Sequence, residues 1–148
     1  MNKKLKIVLI ALVILGLTAF IGWQYVHQET DDVSRQEPSA RFSVEELLEK
    51  TNSDTTGLNQ LKDQLIVVTG PIRRIQREAA DITIELGDTN AMASITCQMD
   101  QRHLEGTETL QPGAQIRIKG KLSGFTIDTD LGLGNTIEMN FCNLESKQ

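Results

Sequence analysis

The stretch QLIVVTGPIRRIQRE, residues 64–78, decides the fold. Two runs rich in aliphatic and β-branched residues lie on either side of Gly70-Pro71, and both have the composition of a β-strand. A glycine inside a strand marks a bulge or a sharp bend. The stretch therefore predicts a long first strand that bends at Gly70.

Four further strands are predicted after this bend. Turn residues separate them, and the clearest, DITIEL, places Ile82, Ile84 and Leu86 on one face. Five strands with a strongly bent first strand predict a mostly β protein built as a small closed Greek-key barrel. The four additional strands are expected at residues 81–86, 91–99, 115–125 and 136–144.

A short helix is predicted directly before the barrel, in FSVEELLEK (42–50). Ser43 has the character of an N-cap, and Glu46 three residues later completes a capping box. The helix is expected to begin at Val44 and, because Asn52, Asp54 and Gly57 are stop signals, to end by about Ser53.

The N-terminal segment predicts a membrane anchor. Residues 7–26, IVLIALVILGLTAFIGWQYV, carry no charge, and 20 helical residues span about 30 Å, the thickness of a hydrocarbon core. Lysines precede this run and acids follow it, so the N-terminus is expected in the cytoplasm and the rest outside. A cleaved signal peptide is the alternative. The length of the run and the poor fit of Leu17-Thr18-Ala19 to a cleavage site favour an uncleaved anchor.

The chain is thus expected to divide into four parts. The segment HQETDDVSRQEPSA has no apolar periodicity and predicts a flexible linker. The four parts are a basic cytoplasmic tail (1–6), a transmembrane signal anchor (7–26), the flexible linker (27–40) and the folded domain (41–148).

The overall charge argues against bulk binding to nucleic acid or anionic lipid. The formal net charge is -5, whereas such ligands need a cationic surface. Aromatic residues make up only 4% of the chain, although single-stranded nucleic acid is usually held by stacking rings.

Five segments of the chain carry a family resemblance: FSVEELLE, QLIVVTGPI, ASITCQM, LQPGAQIRIKGKLSG and a last strand ending NFCNL. They lie within residues 42–144 and resemble the tRNA_anti-like family of OB-fold proteins, mainly membrane- or lipid-anchored bacterial proteins. The resemblance implies a five-stranded OB-fold barrel, but its motifs are structural and imply no activity. Unlike lipid-anchored relatives, this chain has no anchor cysteine after its apolar run.

The same resemblance pairs the two cysteines. Family members share a cysteine in the third strand and one in the fifth, which correspond to Cys97 and Cys142. These strands are neighbours in an OB barrel, so a disulfide is expected outside the cytoplasm. Two separate buried thiols are the alternative. Strict alternation opposes the pairing, and a bulge near Asn140 would restore it.

No catalytic, metal or cofactor site is predicted. The loop DTDLGLGN (128–135) offers carboxylates, but an EF-type calcium loop starting at Asp128 would need glycine at the position of Leu133. His103 lies alone in a polar loop, and no nucleophile, histidine and acid are grouped along the chain. The chain is therefore expected not to be an enzyme.

Two sets of side chains are candidates for ligand binding. OB-fold ligands usually bind the face formed by the second and third strands. The outward residues there are Thr83, Glu85, Ser94, Thr96 and Gln98. The second set is a basic patch across the first and fourth strands, which pair in this barrel; its alternating cations are interpreted as a solvated face. It comprises Arg73, Arg74, Arg117, Lys119 and Lys121.

The sequence thus predicts a non-enzymatic, membrane-tethered, extracytoplasmic OB module that binds a protein, peptide or envelope glycan. The alternative, which the family name suggests, is an OB-fold nucleic-acid-binding protein.

Overall fold

The computed structural model describes residues 12–22, 32–128 and 134–145. The chain separates into two compact units, Met1–Asp32 and Val33–Gln148. In the first unit, residues 12–22 are helical and lie within the predicted span 7–26, whose remaining residues are outside the described part. Among the described residues, no helix is both long and apolar enough to cross a membrane. The membrane anchor stays a prediction.

The second unit contains the predicted five-stranded barrel. Its strands are β2 (Leu65–Glu78), β3 (Asp81–Leu86), β4 (Ser94–Met99), β5 (Gln115–Thr126) and β6 (Thr136–Leu144). Their order in the sheet is β2-β3-β4-β6-β5, and pairing between β2 and β5 closes the barrel. This is the closed Greek-key arrangement of an OB-fold, so the predicted fold class is confirmed for the domain.

The bend in β2 allows the barrel to close. Residues 65–71 pair with β5, whereas residues 72–78 pair with β3, and the register shifts between Ile72 and Arg74. Gly70 lies at this change of partner, and a side-chain carbon there would collide with Val44 of the adjoining helix. The glycine is therefore required by a close approach of the helix to the strand.

Three short elements precede the barrel: β1 (Ala40–Ser43), α1 (Val44–Ser53) and α2 (Thr55–Leu61). The capping box is confirmed, because the Glu46 N–H donates to Ser43 and the Ser43 N–H donates to Glu46. The sequence did not predict β1, which pairs in parallel with β2, or α2. Asp54 ends α1 and caps α2 by accepting from the Gly57 N–H at 2.8 Å. The residue that ends the first helix therefore also begins the second.

The apolar core fills the barrel and extends beneath the two helices. Val44, Leu47 and Leu58 bring the helices onto it, and all three are buried. The barrel strands supply the rest of this cluster: Ile66, Val68, Ile72, Ile84, Leu86, Ile95, Cys97, Met99, Ile118, Leu122, Ile137, Met139 and Cys142.

A bulge in β6 turns Cys142 into this core, which Cys97 of β4 also faces. β6 runs parallel to β4, with Cys97 opposite Met139 and Met99 opposite Cys142, so β6 contains one extra residue at this point. Phe141, within the bulge, has a φ of 53°. The bulge near Asn140 that would bring both cysteines to the same side of the sheet is thus present.

Residues 33–39, here called the strap, pack on the barrel although they fall within the predicted flexible linker 27–40. Val33 is buried, and the Ser39 N–H donates to the Leu65 carbonyl at 2.7 Å. The buried Lys119 holds the strap from β5, as described below. A polar segment without periodicity is ordered here by hydrogen bonds to its backbone, which no composition rule detects.

Candidate functional site

Four of the five predicted ligand residues share one face of the sheet, here called the outer face: Thr83, Glu85, Thr96 and Gln98. Gln98 is exposed, and the other three are half-buried. Thr83 lies opposite Gln98, and Glu85 lies opposite Thr96. The alternation of β3 and β4 places all four on the side of the sheet that faces away from the core. The outer face continues onto β6, because Thr96 also pairs with the exposed Glu138.

The fifth predicted residue, Ser94, is not part of this surface. Its exposed fraction is 9%, and its N–H donates to the Asn135 carbonyl at 3.0 Å. The strand begins at Ser94 rather than at residue 91, so Ser94 lies at the barrel end beside the chain that enters β6. Its assignment to an exposed ligand site was wrong.

The outer face is polar, and its cation, Arg74, is paired with an acid. Arg74 forms an ion pair with Glu85, and this hydrogen bond raises the pKa of the Arg74 guanidinium. Glu138 adds a negative charge next to the hydroxyl of Thr96. The surface therefore offers hydroxyl, amide and carboxylate groups, and none of its members is aromatic.

The predicted basic patch is not a single surface. Arg74 is committed to Glu85, and Arg73 lies half-buried at the register shift of β2. Arg117 and Lys121 are exposed on β5, as expected for a solvated face. Lys119 between them is only 8% exposed, so its assignment to that face was wrong. The strap covers it, which strand alternation alone cannot show.

A groove of about 590 Å³ lies between the strap, the ends of β5 and β6, and the loop that contains His103. We call it the strap groove. The sequence did not predict it, because its walls come from segments far apart in the chain. The residues used below are Arg41, Arg117, Lys119, Asn143 and Glu145, which all line it.

Lys119 lies in the wall of the groove and holds the strap in place. Its ammonium donates to the Ser34 carbonyl at 2.7 Å and to the Gln36 carbonyl at 3.1 Å. A buried charge must be hydrogen-bonded, and the two carbonyls supply part of that requirement. The alternation of Ile118, Lys119 and Gly120 gives no sign of this role.

Glu145 lies close to the three cations of the groove. It accepts two hydrogen bonds from Arg41, at 2.7 and 2.9 Å, and lies 4.0 Å from Arg117. The hydrogen bond from Arg41 lowers the pKa of Glu145, and the charges of Arg117 and Lys119 act in the same direction. One carboxylate therefore faces three cations.

Asn143 places an unsatisfied acceptor beside these charges. It pairs with Lys119 across β5 and β6, and its exposed fraction is 6%. Its Oδ1 atom is buried and accepts no hydrogen bond. Such a group costs about 1–3 kcal/mol relative to a satisfied one, so a ligand that donates a hydrogen bond to it would gain affinity.

The two cysteines are free thiols in this structure, so the predicted disulfide is not formed. The parallel register explains this result, because Cys97 lies opposite Met139 and Cys142 opposite Met99 rather than opposite each other. Burial raises the pKa of the Cys142 thiol well above its ordinary value, and neighbouring Cys97 adds to the effect.

The loop after β4 is held by charge pairing. Asp100 is buried and accepts hydrogen bonds from the Arg102 side chain at 2.7 to 3.1 Å. These bonds lower the pKa of Asp100. Within the described ranges, no three His, Cys, Asp or Glu side chains are grouped to hold a metal ion. In the loop 128–135, whose carboxylates were weighed above as calcium ligands, Asp130 lies outside the described residues.

The sequence matches the model of the tRNA_anti-like family over residues 1–132. No curated protein matches the chain in sequence.

Among solved structures, a lipoprotein from Klebsiella pneumoniae subsp. pneumoniae MGH 78578, proposed to bind nucleic acid, has a TM-score of 0.53 and 16% identity. The match covers 80% of this chain and 100% of that one. Asparaginyl-tRNA synthetase from Pyrococcus horikoshii matches with a TM-score of 0.39 and 11% identity, over 57% of this chain and 20% of the synthetase. At these identities, the Klebsiella structure shows a shared fold only.

Proposed function

This chain belongs to the tRNA_anti-like family, and we propose on that premise that it is a non-enzymatic OB-fold binding module. In this proposal, the domain is tethered to the membrane outside the cytoplasm and binds a protein, peptide or envelope glycan. The ligand surface is the outer face of β3, β4 and β6.

The chemistry of the outer face is the observation that supports this proposal. OB-folds bind their ligands at this position. Thr83, Thr96 and Gln98 present hydroxyl and amide groups, which suit hydrogen bonding to a polar uncharged surface. The one cation, Arg74, is already paired with Glu85. A polyanion would need unpaired cations and stacking rings at this place.

Crosslinking from the outer face tests the proposal. A photo-reactive amino acid replaces the exposed Gln98, and the control carries it at Glu108, an exposed position in the loop between β4 and β5. After irradiation of intact cells, we expect an adduct with a protein or glycan from position 98 and none from position 108. Equal adducts from both positions, or none from position 98, would exclude the outer face as the ligand surface.

The proposed topology rests on the uncharged run 7–26, preceded by lysines and followed by acids. A reporter that fluoresces only in the cytoplasm, fused after Gln148, is expected to be dark. A bright fusion would contradict the topology. A mature chain that begins inside residues 17–27 would contradict the uncleaved anchor.

Nucleic-acid binding is the second candidate, suggested by the family name and supported by the exposed cations Arg117 and Lys121 on β5. It predicts binding to single-stranded DNA or RNA that weakens with salt, with a log–log slope of about -0.7 per phosphate contact. The salt dependence of binding by the double variant R117Q/K121Q would then be shallower, by about 0.7 in the log–log slope for each of the two lost contacts. We expect wild-type protein to show no such binding at physiological salt. Nuclease-sensitive adducts at Gln98 would also favour this candidate.

A further inference from the structure

We propose that the strap groove is a second binding site, which takes the C-terminal carboxylate of a peptide or protein together with its last backbone N–H. This site shares no residue with the outer face, so it does not depend on the function proposed above. Three groups in the groove carry the proposal: Lys119, Arg117 and Asn143.

The Lys119 ammonium has a donor to spare. An ammonium has three N–H donors, and two of them are used on the strap carbonyls. Across the described residues, no carboxylate lies within ion-pair distance of Lys119. A buried cation with no carboxylate in direct contact favours an incoming anion, because Coulombic attraction is stronger away from water.

Arg117, two residues before Lys119 on β5, offers a second donor group. Its guanidinium reaches Glu145 only at 4.0 Å, beyond hydrogen-bond range, while Arg41 takes both oxygens of that carboxylate. Arg117 and Lys119 are two residues apart on β5, which separates them by about 7 Å along the strand. A carboxylate between them can accept from both.

Two exposed acids, Glu37 and Glu105, also line the groove, so its total charge is balanced. Charges exposed to solvent are weakened by water and salt, whereas the Lys119 charge is buried. The buried Lys119 ammonium therefore attracts an anion, whereas the exposed edge of the groove, which carries Glu37 and Glu105, does not. The balanced rim also disfavours a ligand that is anionic along its whole length.

Asn143 distinguishes between anionic ligands. Its unsatisfied Oδ1 requires a donor, and the side chain lies directly across from Lys119. A phosphodiester has acceptors but no donor. The last residue of a peptide has a carboxylate and, one residue's length away, an N–H group. This pairing of an anion with a donor matches the groove, and recognition of terminal carboxylates is a known mode of peptide binding.

The test measures binding of short fluorescein-labelled peptides with randomised C-terminal residues to the purified full chain in mild detergent. One pool ends in a free carboxylate and a matched pool ends in an amide. We expect the amide pool to bind about tenfold or more weakly, since it lacks the charge that Arg117 and Lys119 recognise. Unlabelled single-stranded DNA should not compete with the carboxylate pool.

Two variants and one control separate recognition from folding. Arg117→Gln should weaken binding of the carboxylate pool about tenfold, whereas Lys121→Gln, on the same strand outside the groove, should not change it. Asn143→Leu should abolish binding without lowering the melting temperature, because it removes an unsatisfied buried acceptor. A residue with a structural role alone would lower both.

Equal affinity for the two pools, or no binding of either, would overturn the proposal. Equal losses in Arg117→Gln and Lys121→Gln would overturn it too, because they would indicate a general charge effect. Competition by single-stranded DNA would assign the groove to phosphate. Glucuronate, which carries a carboxylate and hydroxyl donors, and an unlabelled free dipeptide are also tested as competitors of the carboxylate pool. If glucuronate competes at the same concentration as the dipeptide, the groove would be assigned to an acidic glycan.

Discussion

Gly120 of β5 and Cys142 of β6 approach so closely that a Cβ atom on residue 120 would lie 2.5 Å from the Cys142 sulfur. The bulge in β6 turns Cys142 inward, and the missing side chain of Gly120 leaves the space that the sulfur occupies. This glycine is needed for its small size, and the relationship predicts which glycine in β5 cannot be replaced.

Gly120→Ala should therefore destabilise the domain by about 1–3 kcal/mol, the usual cost of overpacking a core. Gly124→Ala in the same strand is the control, since a Cβ there would have no neighbour within 4 Å. Chemical denaturation of the full chain measures both. The double variant G120A/C142A should recover part of the loss; equal stability of the two single alanine variants would contradict this packing.

Lys119→Met should release the strap while leaving the barrel folded. The variant loses the two hydrogen bonds to the Ser34 and Gln36 carbonyls, at a cost of about 1–3 kcal/mol. Limited trypsin digestion reports the change, because Arg35 lies within the strap and should be cleaved faster. Lys121→Met, on an exposed position of the same strand, should leave the cleavage rate unchanged. Identical rates in the two variants would mean that Lys119 does not hold the strap.

Stability should fall in acid because Asp100 has a lowered pKa, caused first by its hydrogen bonds from Arg102. A carboxyl whose folded pKa lies below its unfolded pKa stabilises the fold fully above the unfolded value, about 4. That contribution disappears as the pH falls through the folded pKa. Asp100→Asn should thus lose about 1 kcal/mol at pH 7 and less at pH 2.

Urea denaturation at several pH values measures this difference. Glu108→Gln, which replaces an exposed acid in the same loop, is the control and should follow the wild-type pH dependence. If Asp100→Asn loses the same stability at pH 2 as at pH 7, the ion pair with Arg102 is not the source of the effect.

The two thiols should be unreactive in the folded protein. Both are fully buried, and burial holds the pKa of Cys142 well above its ordinary value, so little of the nucleophilic thiolate forms. We expect no labelling by a thiol reagent under native conditions and labelling of both cysteines after guanidinium unfolding. A chain purified without reductant that stays unlabelled when unfolded, with a mass lower by two hydrogens, would instead contain the disulfide.

Local sequence patterns predicted most of the fold. The capping box located α1, alternation located β3, and Gly70-Pro71 located the bend that lets β2 pair with two strands. These signals work because their physical causes act between residues that are close along the chain. The helix α2 was missed because Asp54 was interpreted only as a stop signal.

The sequence predicted the outer face but not the strap groove. The difference depends on how far apart in the chain the interacting residues lie. Thr83 and Gln98 share a face because alternation decides where their side chains point, and the fold then pairs them. Lys119 obeys the same alternation and still becomes buried, because the strap that covers it comes from more than 80 residues earlier in the chain.

The sequence by itself determined the barrel, the capped helix and the polar character of the outer face, since short-range patterns and strand alternation dictate these. Only the tertiary structure decided that Cys97 and Cys142 lie offset, that Asn143 has a buried acceptor without a donor, and that the strap closes one side of a groove. Each of these depends on register and contact between distant segments. Hydrogen bonds and packing at that range depend on the three-dimensional positions of atoms, and no local pattern in the chain records them.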